Sequence, residues 1–128
     1  MTMDLSLSKN ERLCSKATID KLFSNGDSFV QYPFRIVYTK ESEVGDSGAS
    51  IMVSVSKRRF KRANKRNLIK RRIKEAYRLN KSKLDPFIQG NQGSLAIAFL
   101  YLPKEILESE QIHRKMEESL EQLIKRLH

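Results

Sequence analysis

The chain has 128 residues and a formal net charge of +10, from 25 Lys and Arg residues against 15 Asp and Glu. Its length predicts a single domain over residues 1–128 that can bury roughly two-thirds of its unfolded surface. Residues 1–8 are expected to form a flexible arm. The only cysteine is Cys14, which excludes an intramolecular disulfide and a multi-cysteine zinc site. The sequence contains no signal peptide and no apolar run of the ~20 residues that a membrane span needs, so we expect a cytoplasmic protein with no membrane partner.

Most of the positive charge lies in one segment in the middle of the chain. Residues 57–83 contain 14 of the 25 Lys and Arg residues and a single acid, Glu75, which leaves the rest of the chain slightly acidic. Like charges at this density repel one another, whereas a solvated helix usually mixes the two signs. The segment is therefore predicted to bind a polyanion.

A short helix is predicted near the start of the chain. Ile19, Leu22 and Phe23 have helical spacing, and Asn25-Gly26 would end the helix. Two residues could cap its start, Ser15 and Thr18.

Strands and helices then follow in an order typical of a mixed α/β domain. Residues 63–80 contain helix formers without Gly or Pro, and the short apolar run at 94–101 predicts a buried strand. Apolar residues spaced by three and four after Ser109 predict a final amphipathic helix. The fold class is therefore α/β (α+β), a two-layer sandwich with the order α-β-β-β-α-β-α. Its first strands are predicted where apolar residues alternate, at 28–31, 34–38 and 50–55.

The helix predicted over residues 63–80 has two different faces at 100° per residue. Ile69, Ile73 and Ala76 fall on one stripe, which is expected to face the sheet. Lys65 and Arg72 point toward this apolar sector and should extend their charged ends outward. The opposite face is about 140° wide and holds five cations and one asparagine: Arg66, Asn67, Lys70, Arg71, Lys74 and Arg78.

The residue types on this polar face suit RNA. Arginine offers phosphate a planar fork, lysine is a mobile point charge, and Asn67 can contact a ribose hydroxyl or a base edge. Phe60, just before the helix, could stack on a base or belong to the core. The basic surface continues through the residues around it: Lys57, Arg58, Arg59, Lys61 and Arg62.

The sequence contains no recognisable catalytic arrangement. Neither His113 nor His128 has the Cys, Asp or Ser context of a triad, and no pair of acids stands at strand ends as in a two-metal nuclease. There is no glycine-rich phosphate loop either. We therefore expect no catalytic residue and no metal site in the protein itself.

The segment at 56–78, Ser-Lys-Arg-Arg-Phe-Lys-Arg-Ala-Asn-Lys-Arg-Asn-Leu-Ile-Lys-Arg-Arg-Ile-Lys-Glu-Ala-Tyr-Arg, closely resembles the signature of the bacterial ribonuclease P protein subunit. In that family an Arg-Asn motif in a helix is followed by Lys-Arg and Arg-Glu, and is preceded by a strand that ends in Val-Ser-Lys. The matching residues here are Arg66-Asn67, Lys70-Arg71, Lys74-Glu75 and, at the strand end, Ser54-Val55-Ser56-Lys57. Further matches lie at Arg12-Leu13, Ile19, Phe23, Gly26 and Ile36-Val37-Tyr38, so the similarity covers roughly residues 9–127.

The resemblance implies a left-handed βαβ crossover and a role in tRNA maturation. Members of the family bind the catalytic RNA subunit of ribonuclease P and the 5′ leader of precursor tRNA. The RNA subunit performs the Mg²⁺-dependent hydrolysis that gives the mature 5′ end. The resemblance thus implies that Mg²⁺ is held mainly by the RNA, and that no obligate protein partner is needed.

The resemblance also implies two sets of site residues. One set would bind the RNA subunit: Lys57, Arg58, Arg59, Lys61, Arg62, Lys65, Arg66, Asn67, Lys70, Arg71, Lys74 and Arg78. The other would line a cleft on the sheet for the single-stranded leader, where aromatic rings can stack on any base: Arg12, Ile19, Phe23, Phe34 and Tyr38. Phe23 could instead be a core residue. Two alternatives for the whole protein are a general or ribosome-associated RNA-binding protein with no role in cleavage, and a stand-alone nuclease.

Overall fold

The computed structural model describes residues 16–41, 48–86 and 94–127, which form one four-stranded sheet and three α-helices. The fold class and the element order expected from the sequence are confirmed. Arg12 and the arm expected at residues 1–8 lie outside the described residues. The helices are α1 (Lys16–Asn25), α2 (Ala63–Asn80) and α3 (Ser109–Leu127), with a short 3-10 helix at Lys81–Leu84, and the strands are β1 (Asp27–Gln31), β2 (Phe34–Glu41), β3 (Gly48–Ser54) and β4 (Ser94–Tyr101).

The bounds of the elements are close to those expected. The start of α1 at Lys16 places Thr18 inside the helix, so that Thr18 is not its cap, and Ser15 lies outside the described residues. The strands β1 to β3 differ from the expected ones by one to three residues at an end, which is typical where alternation is the only signal. No helix in the described parts of the chain has the length and apolar composition to cross a membrane.

The sheet is mixed, with the strand order β1-β2-β4-β3. Strand β2 pairs antiparallel with both β1 and β4, whereas β3 pairs parallel with β4. Parallel neighbours need a crossover connection, and α2 supplies it between β3 and β4. The resulting βαβ unit has the order strand, helix, strand that was expected from the sequence. Its left-handedness stays a prediction.

One face of the sheet is covered by α2 and α3. The core on this side contains Phe34, Ile36 and Tyr38 of β2 together with Ile97 and Phe99 of β4. From the helices it receives the apolar side chains of α2 and of α3, the latter being Ile112, Met116, Leu120, Leu123 and Leu127. These α3 residues are spaced by three and four and are all buried, which confirms the predicted amphipathic helix.

The opposite face of the sheet carries α1. Leu22 is fully buried there against Val37, Ala96 and Ala98, which alternate with the residues of the main core. Because side chains alternate along a strand, one strand supplies both faces with different residues. The short helix α1 covers only part of its face, which matters for the site described below.

Gly26 connects α1 to β1 at a point where the backbone segments approach closely. Its amide donates a 2.9 Å hydrogen bond to the Leu22 carbonyl, which ends the helix. A Cβ at this position would lie 2.3 Å from the Leu22 oxygen and 2.9 Å from the Tyr38 oxygen. Both neighbours are backbone atoms, which cannot move aside as a flexible side chain could. The position therefore requires glycine.

We expect Gly26→Ala to lower stability by about 1–3 kcal/mol, the usual cost of overpacking. Urea unfolding of the purified variant measures this change, with Ser24→Ala as the control because Ser24 is exposed in the same last turn of α1. Equal stability of Gly26→Ala and the wild type would contradict the close approach of α1 to β2.

Candidate nucleic-acid interface

The helix α2 presents its charged residues to solvent because its apolar stripe is held in the core. Ile69, Ile73 and Ala76 are buried as expected, and the structure adds Tyr77 and Asn80 to the buried set. On the outer side, half of the predicted polar face is exposed, whereas Arg66, Lys70 and Arg78 are half-buried. Its exposed members are Asn67, Arg71 and Lys74.

Asn80 was not expected in the core, and its partners explain why burial is tolerated. Its side-chain amide donates a 2.8 Å hydrogen bond to the Ala76 carbonyl and lies 3.4 Å from Nε2 of His113 on α3. A buried polar group that keeps hydrogen bonds avoids most of its desolvation penalty. His113 is thus accounted for by the contact between α2 and α3.

Two residues of the predicted polar face have partners within the protein. Arg66 is half-buried, and its Nη1 donates hydrogen bonds of 2.7 Å to the Phe60 carbonyl and 3.0 Å to the Lys61 carbonyl. Arg78 forms an ion pair of 2.9 Å with Glu75. The structure therefore corrects the expectation that Arg66 lies simply on the solvent face, since its guanidinium reaches back to the residues that precede α2.

The segment that precedes α2 is an ordered turn, here called the basic turn (residues 56–62). The Ser56 hydroxyl accepts hydrogen bonds from the amides of Arg58 and Arg59, and the Ser56 carbonyl accepts one from Phe60. Phe60 is buried, with its ring centroid 6.0 Å from that of Tyr101. Of the two readings of Phe60 that the sequence left open, the structure shows the core residue.

The charges of the basic turn stand out from this scaffold. The exposed cations of the turn are Lys57, Arg58, Arg59, Lys61 and Arg62, and Lys65 is exposed just after it. The first turn of α2 contains no acid. The positive end of the helix dipole therefore adds to the same potential. Such an arrangement favours an anion at this end of α2.

A second segment is held against the basic turn, here called the β4–α3 loop (residues 102–108). Arg59 donates a hydrogen bond to the Leu102 carbonyl, and Arg72 donates one of 2.7 Å to the Leu107 carbonyl. The Tyr101 hydroxyl donates to the Glu105 carbonyl at 2.7 Å and accepts from the Leu107 amide at 3.0 Å. Arg59 and Arg72 therefore join separate parts of the chain.

The Tyr101 hydroxyl remains protonated at physiological pH, as the hydrogen bond that it donates to the Glu105 carbonyl requires. Burial raises the pKa of this phenol above its ordinary value, while the Leu107 amide that donates to it acts in the opposite direction. Loss of the proton would leave the Glu105 carbonyl without its donor. The loop contact is thus stable across the neutral range.

The residues expected to form the leader cleft do not all come together. Ile19 and Phe23 stand four residues apart on α1, and Phe23 is 46% exposed, which favours a surface residue over the core alternative. Phe34 and Tyr38, in contrast, are 0% and 7% exposed and belong to the core under α2 and α3. The alternation of β2 turns them away from α1, so their assignment to the cleft is corrected.

The part of the sheet that α1 leaves uncovered has other side chains. The register pairs Val30 with Arg35, Arg35 with Leu100, and Leu100 with Ser54. Paired residues of neighbouring strands share a face, so these four form one row across the sheet, here called the open row. Val30 is 64% exposed, Arg35 is exposed, and Leu100 and Ser54 are half-buried. The alternation of residues 34–38 already contained the signal that Arg35, and not Phe34, faces this side.

Potential metal ligands are not clustered in the described residues. Within residues 16–41, 48–86 and 94–127, no three His, Cys, Asp or Glu side chains are grouped so that they could hold one. The surfaces described above carry cations, which repel Mg²⁺.

The chain folds into a small α+β domain, and one of its helices presents a largely basic face. Clustering of Lys and Arg on one face is typical of proteins that bind nucleic acids. The family model described as Ribonuclease P matches residues 7–127. The ribonuclease P protein components of Porphyromonas gingivalis strains ATCC 33277 and W83 are each 44% identical over 114 residues, 89% of this chain and 83% of theirs. The chain belongs to the ribonuclease P protein family.

Solved structures share the fold at lower sequence identity. The RNase P protein from Thermotoga maritima aligns with a TM-score of 0.69 at 20% identity, over 88% of this chain and 96% of that one. A Staphylococcus aureus RNase P protein mutant with defective mRNA degradation activity aligns with a TM-score of 0.71 at 21% identity, over 90% and 89% of the two chains. At such identities the likeness supports the fold.

We expect Arg66→Ala to be less stable than Arg71→Ala, although both remove one arginine from the same helix. Arg66 loses two hydrogen bonds from a charged donor, each contributing about 1.5–3 kcal/mol before solvent competition at this half-buried site lowers the effect. Arg71 is exposed, where truncation usually changes stability by less than about 0.5 kcal/mol. Urea unfolding of the two variants compares them directly. Equal midpoints would mean that the Arg66 contacts do not hold the basic turn.

Proposed function

We propose that this chain is the protein subunit of ribonuclease P, which binds the catalytic RNA subunit and the 5′ leader of precursor tRNA and assists removal of that leader. The basic face of α2, in a chain of this family, is the observation that carries the proposal. Membership of the family supports the role in tRNA processing, and the surface supplies the physical means of binding RNA.

The face that would bind the RNA subunit contains two kinds of residue, those that would contact the RNA and those that would position the contacting residues. Asn67, Arg71 and Lys74 are exposed and rigidly mounted on α2, so they would contact phosphate, ribose or base edges directly. Arg59 and Arg66 use their guanidinium groups to hold the loops in place and would act mainly by positioning neighbouring cations. A preorganised surface loses less conformational entropy on binding.

The leader would bind on the α1 side of the sheet. Phe23 offers a ring for stacking, and the open row offers the apolar surface of Val30 and Leu100 with a single cation, Arg35. This combination of an aromatic ring, apolar surface and sparse charge suits a single strand, whose bases are not paired. In this proposal Val30, Arg35 and Leu100 replace Phe34 and Tyr38 among the expected cleft residues.

The chemistry in this proposal belongs to the RNA subunit. The chain would supply binding energy and orientation, and its positive charge would offset the repulsion between two polyanions, the RNA subunit and the precursor tRNA. When bound by the RNA, Mg²⁺ would activate the attacking water and stabilise the leaving oxygen. No side chain of the protein is given a catalytic role.

Reconstitution with the catalytic RNA encoded by the same genome tests the proposal. At low Mg²⁺ concentration we expect cleavage of precursor tRNA when protein and RNA are mixed, and no cleavage by either alone. Cleavage by the protein alone would identify a stand-alone nuclease instead. Binding without any stimulation of cleavage would favour the general RNA-binding protein.

Phe23→Ala tests the proposed leader site. Removal of a stacking aromatic should cost about 1–3 kcal/mol of affinity for a single strand. The loss should appear with precursor tRNA that has a leader of several nucleotides and not with mature tRNA, so the measurement is the ratio of the two affinities in the reconstituted complex.

Leu79→Ala is the matched control for this variant. Leu79 is exposed to a similar extent as Phe23 but lies on α2, on the opposite side of the sheet from α1. Its substitution should leave the affinity ratio unchanged, and a thermal melt of both variants checks the fold. A folded Phe23→Ala variant with the wild-type ratio would remove Phe23 from the leader site.

A further inference from the structure

The basic turn and the β4–α3 loop enclose a groove of about 450 Å³. The floor contains the buried ring of Phe60. The walls carry one acid, Glu105, and a larger set of cations: Arg58, Arg59, Lys61, Arg62, Lys65 and Lys104. Lys104 comes from a part of the chain some forty residues away from the others.

Both walls of the groove are held by hydrogen bonds to backbone carbonyls. Arg66 holds the basic turn through Phe60 and Lys61, and Arg59 joins that turn to Leu102 at the start of the β4–α3 loop. Tyr101 fixes the middle of the loop through Glu105 and Leu107. The position of Lys104 opposite the basic turn is therefore a property of the fold, set by contacts on both sides of it.

The charge balance of the groove points to an anion. Six cations and one carboxylate around a concave space of this size give a strongly positive potential, which a concave shape focuses further. Arginine and lysine together match the fork and point-charge geometry of phosphate oxygens. A small peptide carboxylate would satisfy fewer of these donors than a phosphodiester chain does.

We propose that this groove is a phosphate-binding subsite for the RNA subunit and that Lys104 is a direct contact in it. The inference rests on the proposed function, and it adds a residue outside the central basic segment. Tyr101 is a positioning residue for this contact, because it holds the backbone on either side of Ile106 without lining the groove.

The salt dependence of RNA binding separates direct contacts from positioning. If about six phosphates are neutralised, the slope of log affinity against log salt should be about −4 to −5 for the wild type. Lys104→Ala should make the slope shallower by about 0.7–0.9, so that the variant loses about threefold less affinity than the wild type between 50 and 200 mM salt. Tyr101→Phe should weaken binding and keep the wild-type slope.

Lys125→Ala is the matched control, because it removes the same exposed charge near the far end of α3, about 24 Å along the helix from Ser109. Its slope should equal that of the wild type. Arg71 lies at the centre of the α2 face, so Arg71→Ala should make the slope shallower whether or not the groove binds phosphate. Thermal melts of all variants check folding, with Lys104→Gln as a second substitution at the exposed position.

The outcomes distinguish the subsite from the proposed function. The groove assignment would be overturned if both Lys104 variants kept the wild-type slope while Arg71→Ala made it shallower. That result would leave the RNA-binding face of α2 in place. An equal loss for Lys104→Ala and Lys125→Ala would mean that only net charge matters and would overturn it too. A nearly flat salt response of the wild type would contradict RNA binding through this surface altogether.

Discussion

The burial of one side of α2 is the constraint on which the basic surface depends. Arg66, Lys70, Lys74 and Arg78 succeed one another at intervals of four, and each like-charged pair at this spacing disfavours the helix by a few tenths of a kcal/mol. Complete burial of a single side chain such as Ile69 contributes about 1.5–3 kcal/mol in the other direction. The buried stripe therefore outweighs the repulsion, and the cations are held close together without a partner of opposite charge for each one.

The arginines of the basic segment divide into two groups that a helical wheel does not separate. A wheel gives the direction of a Cα–Cβ bond, but an arginine side chain is long enough to turn back along the surface. Arg66 does so toward Phe60, while Arg71 stays exposed on the same face. Spacing thus predicted correctly which side of α2 is buried. It could not predict that Arg66 bonds within the protein, because the carbonyls of Phe60 and Lys61 that accept its hydrogen bonds are placed by the fold.

The residues of β2 show where sequence reasoning succeeded and where it failed. Its alternation predicted a strand, and the same alternation separates Phe34 and Tyr38 from Arg35 and Val37. Their assignment to the cleft came from the family resemblance, which matches positions without stating which face each one occupies. The strand order and the side of the sheet taken by α1 depend on long-range pairing, for which the local pattern contains no signal. Gly26 shows the same limit, since its close neighbour Tyr38 is brought to it only by the pairing of β1 with β2.

The two proposed RNA surfaces lie on opposite faces of the sheet, yet they meet at one of its ends. Strands β3 and β4 run parallel, so their carboxyl ends lie side by side. The open row ends there at Ser54, and the chain enters the basic turn two residues later. Because the pairing of β3 with β4 sets this junction, the distance between the open row and the groove is fixed by the sheet and not by a flexible linker. Single-stranded RNA that crosses the open row toward β3 would therefore arrive beside the cations of the basic turn.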